Sequence, residues 1–224
     1  MIGIILQARM GSSRLPGKIF MKIGDKSLLE HILSRLQSLK HDAKLIIATS
    51  TLLKDDIVCD FCRSHQTEYF RGSEQDVLER YYLCAKQFGF DHIVRLTGDN
   101  PFTDIEELDN LISFHLQAKA DYTHSFGVLP IGVGAEIFTF KALEESYSNG
   151  TKENHREHVN EYIQEHPELF NIQVLDVPSF KQRPDVRLTV DTEIDLQRAR
   201  YIVENTNGIP MDTKKAIELC SQFA

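Results

Sequence analysis

Ile2-Gly3-Ile4-Ile5-Leu6 runs straight into Gln7-Ala8-Arg9-Met10-Gly11-Ser12-Ser13-Arg14-Leu15-Pro16-Gly17-Lys18, and this junction decides the fold. The first run is short, apolar and rich in β-branched side chains, so it reads as a buried strand. The second gathers three cations, two hydroxyls and two glycines in one turn-prone loop. Beyond it, Leu28, Leu29, Ile32, Leu33 and Leu36 recur at helical spacing within Ser27 to Leu39, and Lys44 to Ala48 is another compact β-rich run. Strand, loop, helix and strand in that order make a β-loop-α-β unit.

The alternation predicts a helix over Asp55 to His65, a strand over Thr67 to Phe70, a helix over Glu74 to Phe88, a strand over His92 to Leu96 and a helix over Asp104 to Ala118. Strands follow near Asp121 to Ser125 and Glu136 to Phe140, then helices over Lys141 to Ser148 and Asn154 to Glu165. The chain closes with strands near Ile172 to Val177 and Arg187 to Val190, a helix over Glu193 to Glu204 and another after Asp212. Right-handed crossovers place such helices on both faces of a mainly parallel sheet and bring small ligands to the carboxyl ends of its strands. The expected architecture is a Rossmann-like three-layer α/β/α domain. Gly127, Pro130, Gly132 and Gly134 precede the Glu136 strand, so the second half is expected to add antiparallel pieces and a lobe over the site, around residues 125–180. No tandem repeat, low-complexity segment or linker interrupts 1–224, and one domain is the expected count.

Composition bounds the function. The chain has 224 residues, 42% hydrophobic and 26% charged, enough for a closed core and incompatible with a disordered chain or a disulfide-stapled miniprotein. Its net charge of −8 disfavours general nucleic-acid binding, although a few positioned cations suffice for one small phosphorylated ligand. The N-terminal run carries no basic leader or cleavage site, and no apolar stretch approaches a membrane span of about 20 residues. Four cysteines are too sparse for a disulfide framework and fit a reducing cytoplasm, the expected location.

The 7–18 loop reads as a phosphate cradle. Glycines let backbone N–H groups approach anionic oxygens, serine hydroxyls donate, and Arg or Lys supply charge-assisted hydrogen bonds. It is not a Walker A loop: five residues rather than four separate Gly11 from Gly17, and Ile19 stands where the hydroxyl ligand for magnesium belongs. Nor does it carry the second glycine of the G-x-G-x-x-G dinucleotide fingerprint. The plainer alternative is a solvated basic loop.

The run Q-A-R-M-G-S-S-R-L-P-G-K resembles the N-terminal signature of the sugar cytidylyltransferases, most closely the spore-coat polysaccharide branch, related to the enzymes that activate Kdo and acylneuraminate. The resemblance implies the nucleotide-diphospho-sugar transferase fold with a mostly parallel mixed sheet. It also implies that the loop wraps the triphosphate of CTP, with Ala8, Arg9, Gly11, Ser12, Ser13, Arg14 and Lys18 contacting the nucleotide and Arg9, Arg14 and Lys18 neutralising its charge.

Arg95-Leu96-Thr97-Gly98-Asp99 and Arg187-Leu188-Thr189-Val190-Asp191 share the pattern R-L-T-x-D, each placing an aspartate where a β-run stops. Hard carboxylate oxygens are what Mg²⁺ takes, alongside phosphate oxygens and water, so Asp99 and Asp191 are the candidate metal ligands. That they meet in space is implied by the resemblance. Asp191 alternatively caps the helix that follows, and Asp99 alternatively serves only an Asp-Asn-Pro turn.

The stretch from Arg71 to Arg80 resembles the family's R-G-S-x-x-D-V-L-x-R segment near the nucleotide, which assigns Arg71, Ser73 and Asp76 to that pocket; helix capping by Ser73 is the plain reading. The resemblance puts Glu136 near the acceptor, although Gly134-Ala135 departs from the family pattern there. Arg156 and His158, in the family-like R-E-H-V, face an anionic acceptor on this reading and a solvated helix face otherwise. His155 and His158 are three apart and lack an H-E-x-x-H frame, so zinc is disfavoured. Cys59 and Cys62 fit buried thiols of an amphipathic helix, and no G-x-S-x-G nucleophile elbow exists.

These readings add up to a Mg²⁺-dependent cytidylyltransferase in which Arg14, Lys18 and Asp99 carry catalysis. It would move CMP from CTP to a sugar acid or sugar phosphate for surface polysaccharide or glycan assembly, without nucleic acid or membrane insertion; the residues leave the oligomeric state open, and the resemblance, whose enzymes are often dimers, points to a homodimer. A glycosyltransferase using a nucleotide-sugar donor would carry a D-x-D motif where Asn100-Pro101 stands, and a non-catalytic nucleotide-binding module would keep the cradle without turnover.

Overall fold

The computed structural model describes residues 1–206 and 212–223. Its main sheet has seven strands: β1 (Ile2–Gln7), β4 (Lys44–Ser50), β5 (Glu68–Gly72), β6 (His92–Thr97), β7 (Tyr122–His124), β8 (Glu136–Thr139) and β9 (Ile172–Val174). Their spatial order is β5-β4-β1-β6-β8-β7-β9. Every pairing is parallel except those of β8, which runs antiparallel to both β6 and β7. A small hairpin of β2 (Lys22–Ile23) and β3 (Lys26–Ser27) follows the first loop. Its two-residue strands are too short to leave a periodic signal in the sequence.

The helices are α1 (Leu28–Leu36), α2 (Asp56–Ser64), α3 (Val77–Phe88), α4 (Ile105–Ala118), α5 (Phe140–Asn149), α6 (Glu153–Glu157), α7 (Glu161–Glu165), α8 (Glu193–Glu204) and α9 (Thr213–Gln222). None of them is long and apolar enough to cross a membrane. Their starts are written locally. Ser27 and Glu30 form a reciprocal capping box on α1, Thr192 and Asp195 form another on α8, and Asp76, Asp104 and Asp212 cap α3, α4 and α9.

Successive residues of the central strands alternate between two apolar clusters. Ile4, Leu6, Ile47, Val94 and Leu96 pack with α1, α4 and α8, whereas Ile5, Ile46, Ala48 and Ile93 pack with α3 and α5. A sheet covered on both faces explains why these runs are mainly apolar rather than alternating, with Arg95 the charged exception in β6. A fully buried side chain such as Ile5 contributes about 1.5–3 kcal/mol by leaving water.

Three expected elements come out differently. Arg187 to Val190 is no strand: it crosses the strand ends, bridging Ile131 at Arg187 and donating from Val190 N to the Asp99 carbonyl at 2.8 Å. Gly132, at φ +89°, allows this crossing, since a Cβ there would sit 2.5 Å from Thr189 N. The helix expected over Asn154 to Glu165 breaks into α6 and α7, because His158 turns to extended backbone (φ −114°, ψ 106°) so that Val159 can reach the core. The α3 helix also begins at Val77 rather than Glu74, with Asp76 as its cap; Ser73 Oγ accepts from Asp76 N one step earlier.

His115 on α4 is buried against His92 and Thr123, and burial, with His92 adding to it, pushes its pKa down to about 4. The unfolded chain therefore takes up a proton near pH 6.5 that the folded chain refuses until about pH 4. Stability is full above that window and falls by about 3 kcal/mol as pH drops through it. Urea titrations across this window are expected to show this loss in the wild type and a flatter profile in His115→Gln.

Candidate active site

Strand β1 is flanked by β4 on one side and β6 on the other, so the chain leaves its carboxyl end at the point where connections diverge, where α/β sheets open a crevice. The loop that follows is pinned from below. Ala8 N donates to Ala48 O, Met10 N donates to the buried Asp55 carboxylate at 2.7 Å, and Ser12 N and Gly17 N both donate to Met10 O. Gly17 takes a left-handed φ of +71°, which turns the chain into a short 3-10 segment starting at Lys18. Among the described residues, the amides of Gly11, Ser13 and Arg14 donate to nothing. Arg9, Gly11, Ser12, Ser13, Arg14 and Lys18 line a cleft of about 440 Å³, with Gln7, Arg95, Thr97, Asp99, Glu157, His158 and Asp191 on its other walls. Free amides, hydroxyls and cations around one concavity have the chemistry of an oxyanion cradle.

Asp99 and Asp191, far apart in the chain, meet at this cleft. Lys18 Nζ donates to Asp99 Oδ2 at 2.8 Å and to Asp191 Oδ1 at 2.7 Å. Thr97 Oγ1 donates to the other Asp99 oxygen at 2.5 Å and itself accepts from Asn100 Nδ2, which fixes the carboxylate plane. Asp191 Oδ2 accepts from Arg187 at 2.7 Å and faces Arg14 at 3.2 Å. Partial burial alone would raise the Asp191 pKa, but Lys18, Arg187 and Arg14 hold it below the ordinary carboxylate value. Asp191 does not cap α8, since Thr192 does; Asp195 completes that cap, and against the cost of its own burial Arg187, Thr192 and the Asp191 N–H draw its pKa down to about 2.

The paired carboxylates fit a divalent cation. Both already converge on one positive charge, the Lys18 ammonium, and both offer hard oxygens beside a donor-rich cradle. A three-carboxylate group elsewhere, Asp104, Glu106 and Glu107, is gathered instead around Lys181 Nζ at 3.0, 2.8 and 2.7 Å.

The remaining sequence candidates divide. Ala8 is buried, with its N–H committed to Ala48, and does not line the cleft. Arg71 is spent on Ser50 O, Leu52 O and Asp56. Ser73 holds the turn before α3, and Asp76 borders an adjoining hollow together with Arg9 and Arg156, to which it lies 3.5 Å away. Arg156 lies over the Tyr147 ring, while His158, freed by the helix break, lines the main cleft. Glu136 is fully buried against Arg95 and Tyr122 and lines neither hollow beside the paired aspartates. Sequence reading passed over Gln7, Arg95, Thr97, Glu157 and Arg187. The first three were accessible to it, because Gln7 pairs with Thr97 across parallel strands and strand alternation puts Arg95 and Thr97 on one face.

Residues 3–219 match the sequence profile of the cytidylyltransferases. The chain belongs to the cytidylyltransferase family. It is therefore a nucleotidyltransferase, as its loop led one to expect. It is 39% identical over 217 residues to an uncharacterised protein of Methanocaldococcus jannaschii, covering 97% of this chain and 88% of that one. It is 36% identical to the spore coat polysaccharide biosynthesis protein SpsF of Bacillus subtilis over 92% of this chain and 88% of that protein. Among solved structures, a cytidylyltransferase from Leptospira borgpetersenii superposes with a TM-score of 0.91 at 31% identity, covering 99% of this chain and 94% of that one. A CMP:2-keto-3-deoxy-manno-octonic acid synthetase complexed with CTP shares the fold at a TM-score of 0.67 and 16% identity, over 91% of this chain and 99% of that one.

Proposed function

We propose that this cytidylyltransferase moves CMP from CTP to a sugar acid or sugar phosphate, with Mg²⁺ as its metal and pyrophosphate as the leaving group, in surface polysaccharide or glycan assembly. The observation that carries the reading is the meeting of Lys18, Asp99 and Asp191 at the foot of the cationic loop. The CTP named for the structural neighbour and the polysaccharide pathway named for the SpsF relative support substrate and setting. On this reading residues 1–224 form one nucleotidyltransferase domain, and the segment around 125–180 covers the acceptor side.

An ionised acceptor oxygen, a phosphate oxygen or a hydroxyl oxygen whose proton has passed to solvent, forms a bond to the α-phosphorus as the bond from that phosphorus to the α–β bridging oxygen breaks, and pyrophosphate carries away the electron pair. No covalent enzyme intermediate is needed, so the residues act by alignment and charge stabilisation. The free amides of Gly11, Ser13 and Arg14 and the cations Arg9, Arg14 and Lys18 hold the departing phosphates. Asp99 and Asp191 would hold the metal, which when bound neutralises phosphate charge and steadies the leaving oxygen. Glu157 and His158 line the same cleft as the loop and so border the nucleotide's side of the carboxylate pair.

Incubating the protein with each nucleoside triphosphate and a panel of sugar acids and sugar phosphates, with Mg²⁺, is expected to release pyrophosphate with CTP and one class of acceptor. Release of a nucleoside diphosphate from a nucleotide sugar would replace this reading with a glycosyltransferase. Nucleotide binding without either product would leave a binding module.

A further inference from the structure

We propose that Arg95 receives an anionic group of the acceptor, a carboxylate or a phosphate, and that the buried Glu136 and Tyr122 position it for that task; the inference rests on the transferase reading above. Arg95 on β6 stands directly across from Glu136 on β8. Glu136 has no exposure at all, and a sealed carboxylate is costly unless it is paired and hydrogen-bonded. Arg95 Nη1 donates to Glu136 Oε1 at 2.5 Å, and the Tyr122 hydroxyl donates to Oε2 at 2.6 Å. Tyr122 in turn accepts from Asn160 Nδ2 at 3.2 Å, which ties the pair to the segment just after His158. Glu136 thus acts through Arg95, fixing the guanidinium by one corner.

The rest of that guanidinium is uncommitted. Among the described residues, Nε and Nη2 donate to nothing, and Nε is sealed from solvent. A buried donor without a partner is unfavourable, and Nη2, which has no partner and is not sealed, is the guanidinium corner that a carboxylate or phosphate oxygen can reach.

Position assigns that anion to the acceptor. Arg95, Thr97, Asp99 and Asp191 line both the main cleft and a second hollow of about 280 Å³, whose other walls include Gly132, Gly134 and Thr189. Arg9, Gly11, Ser12 and Ser13 border the main cleft and not the second hollow. The two spaces therefore flank the carboxylate pair. In-line displacement needs the incoming oxygen and the departing pyrophosphate on opposite sides of phosphorus, so a triphosphate held by the loop leaves the second hollow to the acceptor. The amides of Gly132 and Gly134, which donate to nothing among the described residues, add neutral donors there.

The test follows the Arg95 ¹⁵Nε resonance and anion affinity in protein saturated with CTP, using inorganic phosphate and acetate as probes. At least one probe is expected to shift that resonance without displacing CTP, and which one does so names the acceptor's anion. Arg95→Gln is expected to weaken its binding at least about tenfold with CTP affinity unchanged. Arg95→Lys keeps a charge opposite Glu136, so it folds even where Arg95→Gln does not, and it is expected to lose affinity because its single nitrogen is engaged by Glu136 and no second one is left for the anion. Tyr122→Phe, which frees one Glu136 oxygen while keeping the ring, is expected to weaken the probe by a smaller factor and again spare CTP. The proposal is overturned if both probes compete with CTP, or if they bind Arg95→Lys as tightly as the wild type. Anion binding at Arg95 without any pyrophosphate release would remove the transferase reading and leave this site standing.

Discussion

Asp99→Asn is expected to lower turnover by roughly 10³-fold while leaving the fold and most of the CTP affinity in place. The substitution keeps the shape of the side chain, and its remaining oxygen still accepts from Thr97, which holds the group at 2.5 Å. The local fold depends more on the Asp99 main chain, whose carbonyl accepts from Val190 N and ties the two R-L-T-x-D segments together. What is lost is the negative charge opposite Lys18 and Asp191, the charge a divalent ion would require. On the proposed reading CTP keeps the loop amides and the Arg9, Arg14 and Lys18 cations, so ground-state binding changes little. The measurement is pyrophosphate release under saturating CTP, beside a CTP titration and a thermal melt of the same variant. Turnover within a few-fold of wild type would remove Asp99 from the metal site.

Much of this was legible beforehand because burial on both faces leaves a plain record in the sequence. Ile2 to Leu6, Lys44 to Ala48 and His92 to Leu96 are mainly apolar runs, interrupted by charge only at Lys44 and Arg95, and each is a strand of the parallel half within one to two residues. The loop was legible as a cationic, turn-rich segment because three cations, two hydroxyls and two glycines follow directly behind a strand, and its residues line the cleft. The errors share one cause, which is that local pattern cannot see what crosses it. Arg187 to Val190 alternates as a strand does, yet Gly132 lets it pass over the strand ends and present Asp191 to Lys18. His155 and His158 look alike as neighbours on a helical face, yet His155 is buried against Glu165 and His158 opens into the cleft, because Val159 between them and the next helix claims a place in the core.

Polar residues were the harder part. Arg71 and Glu136 both sit in segments that resemble the family's, and chemistry alone gives no reason to separate them from Arg14 or Asp99. The difference lies in who satisfies them. Arg71 is consumed by two carbonyls and Asp56, and Glu136 by Arg95 and Tyr122, so neither has a hydrogen-bonding edge left for a ligand. Arg95, by contrast, has an edge to spare.

Lys18→Met is expected to separate two roles that a single ammonium combines. In the structure Lys18 is nearly buried and neutralises Asp99 and Asp191 at once. Removing it leaves two carboxylates facing each other with only Arg14 and Arg187 nearby, both on the Asp191 side. Like charges at such range repel, and because both acids remain partly solvated the cost is about 1–3 kcal/mol rather than the larger penalty of a sealed pair. Without metal the variant is therefore expected to melt earlier than the wild type. Mg²⁺ meets less competition in the variant, since no ammonium has to be displaced, so the metal is expected to bind more tightly and to raise the melting temperature by a greater increment. Turnover is nonetheless expected to fall by about 10²–10³-fold, because the departing pyrophosphate loses a charged donor that the metal does not replace. Tighter Mg²⁺ binding joined to slower turnover is a combination that simple unfolding does not produce. A variant that bound Mg²⁺ no better than the wild type would show that Lys18 and the metal do not share these carboxylates, and would break the link between the cationic loop and the paired aspartates on which the mechanism rests.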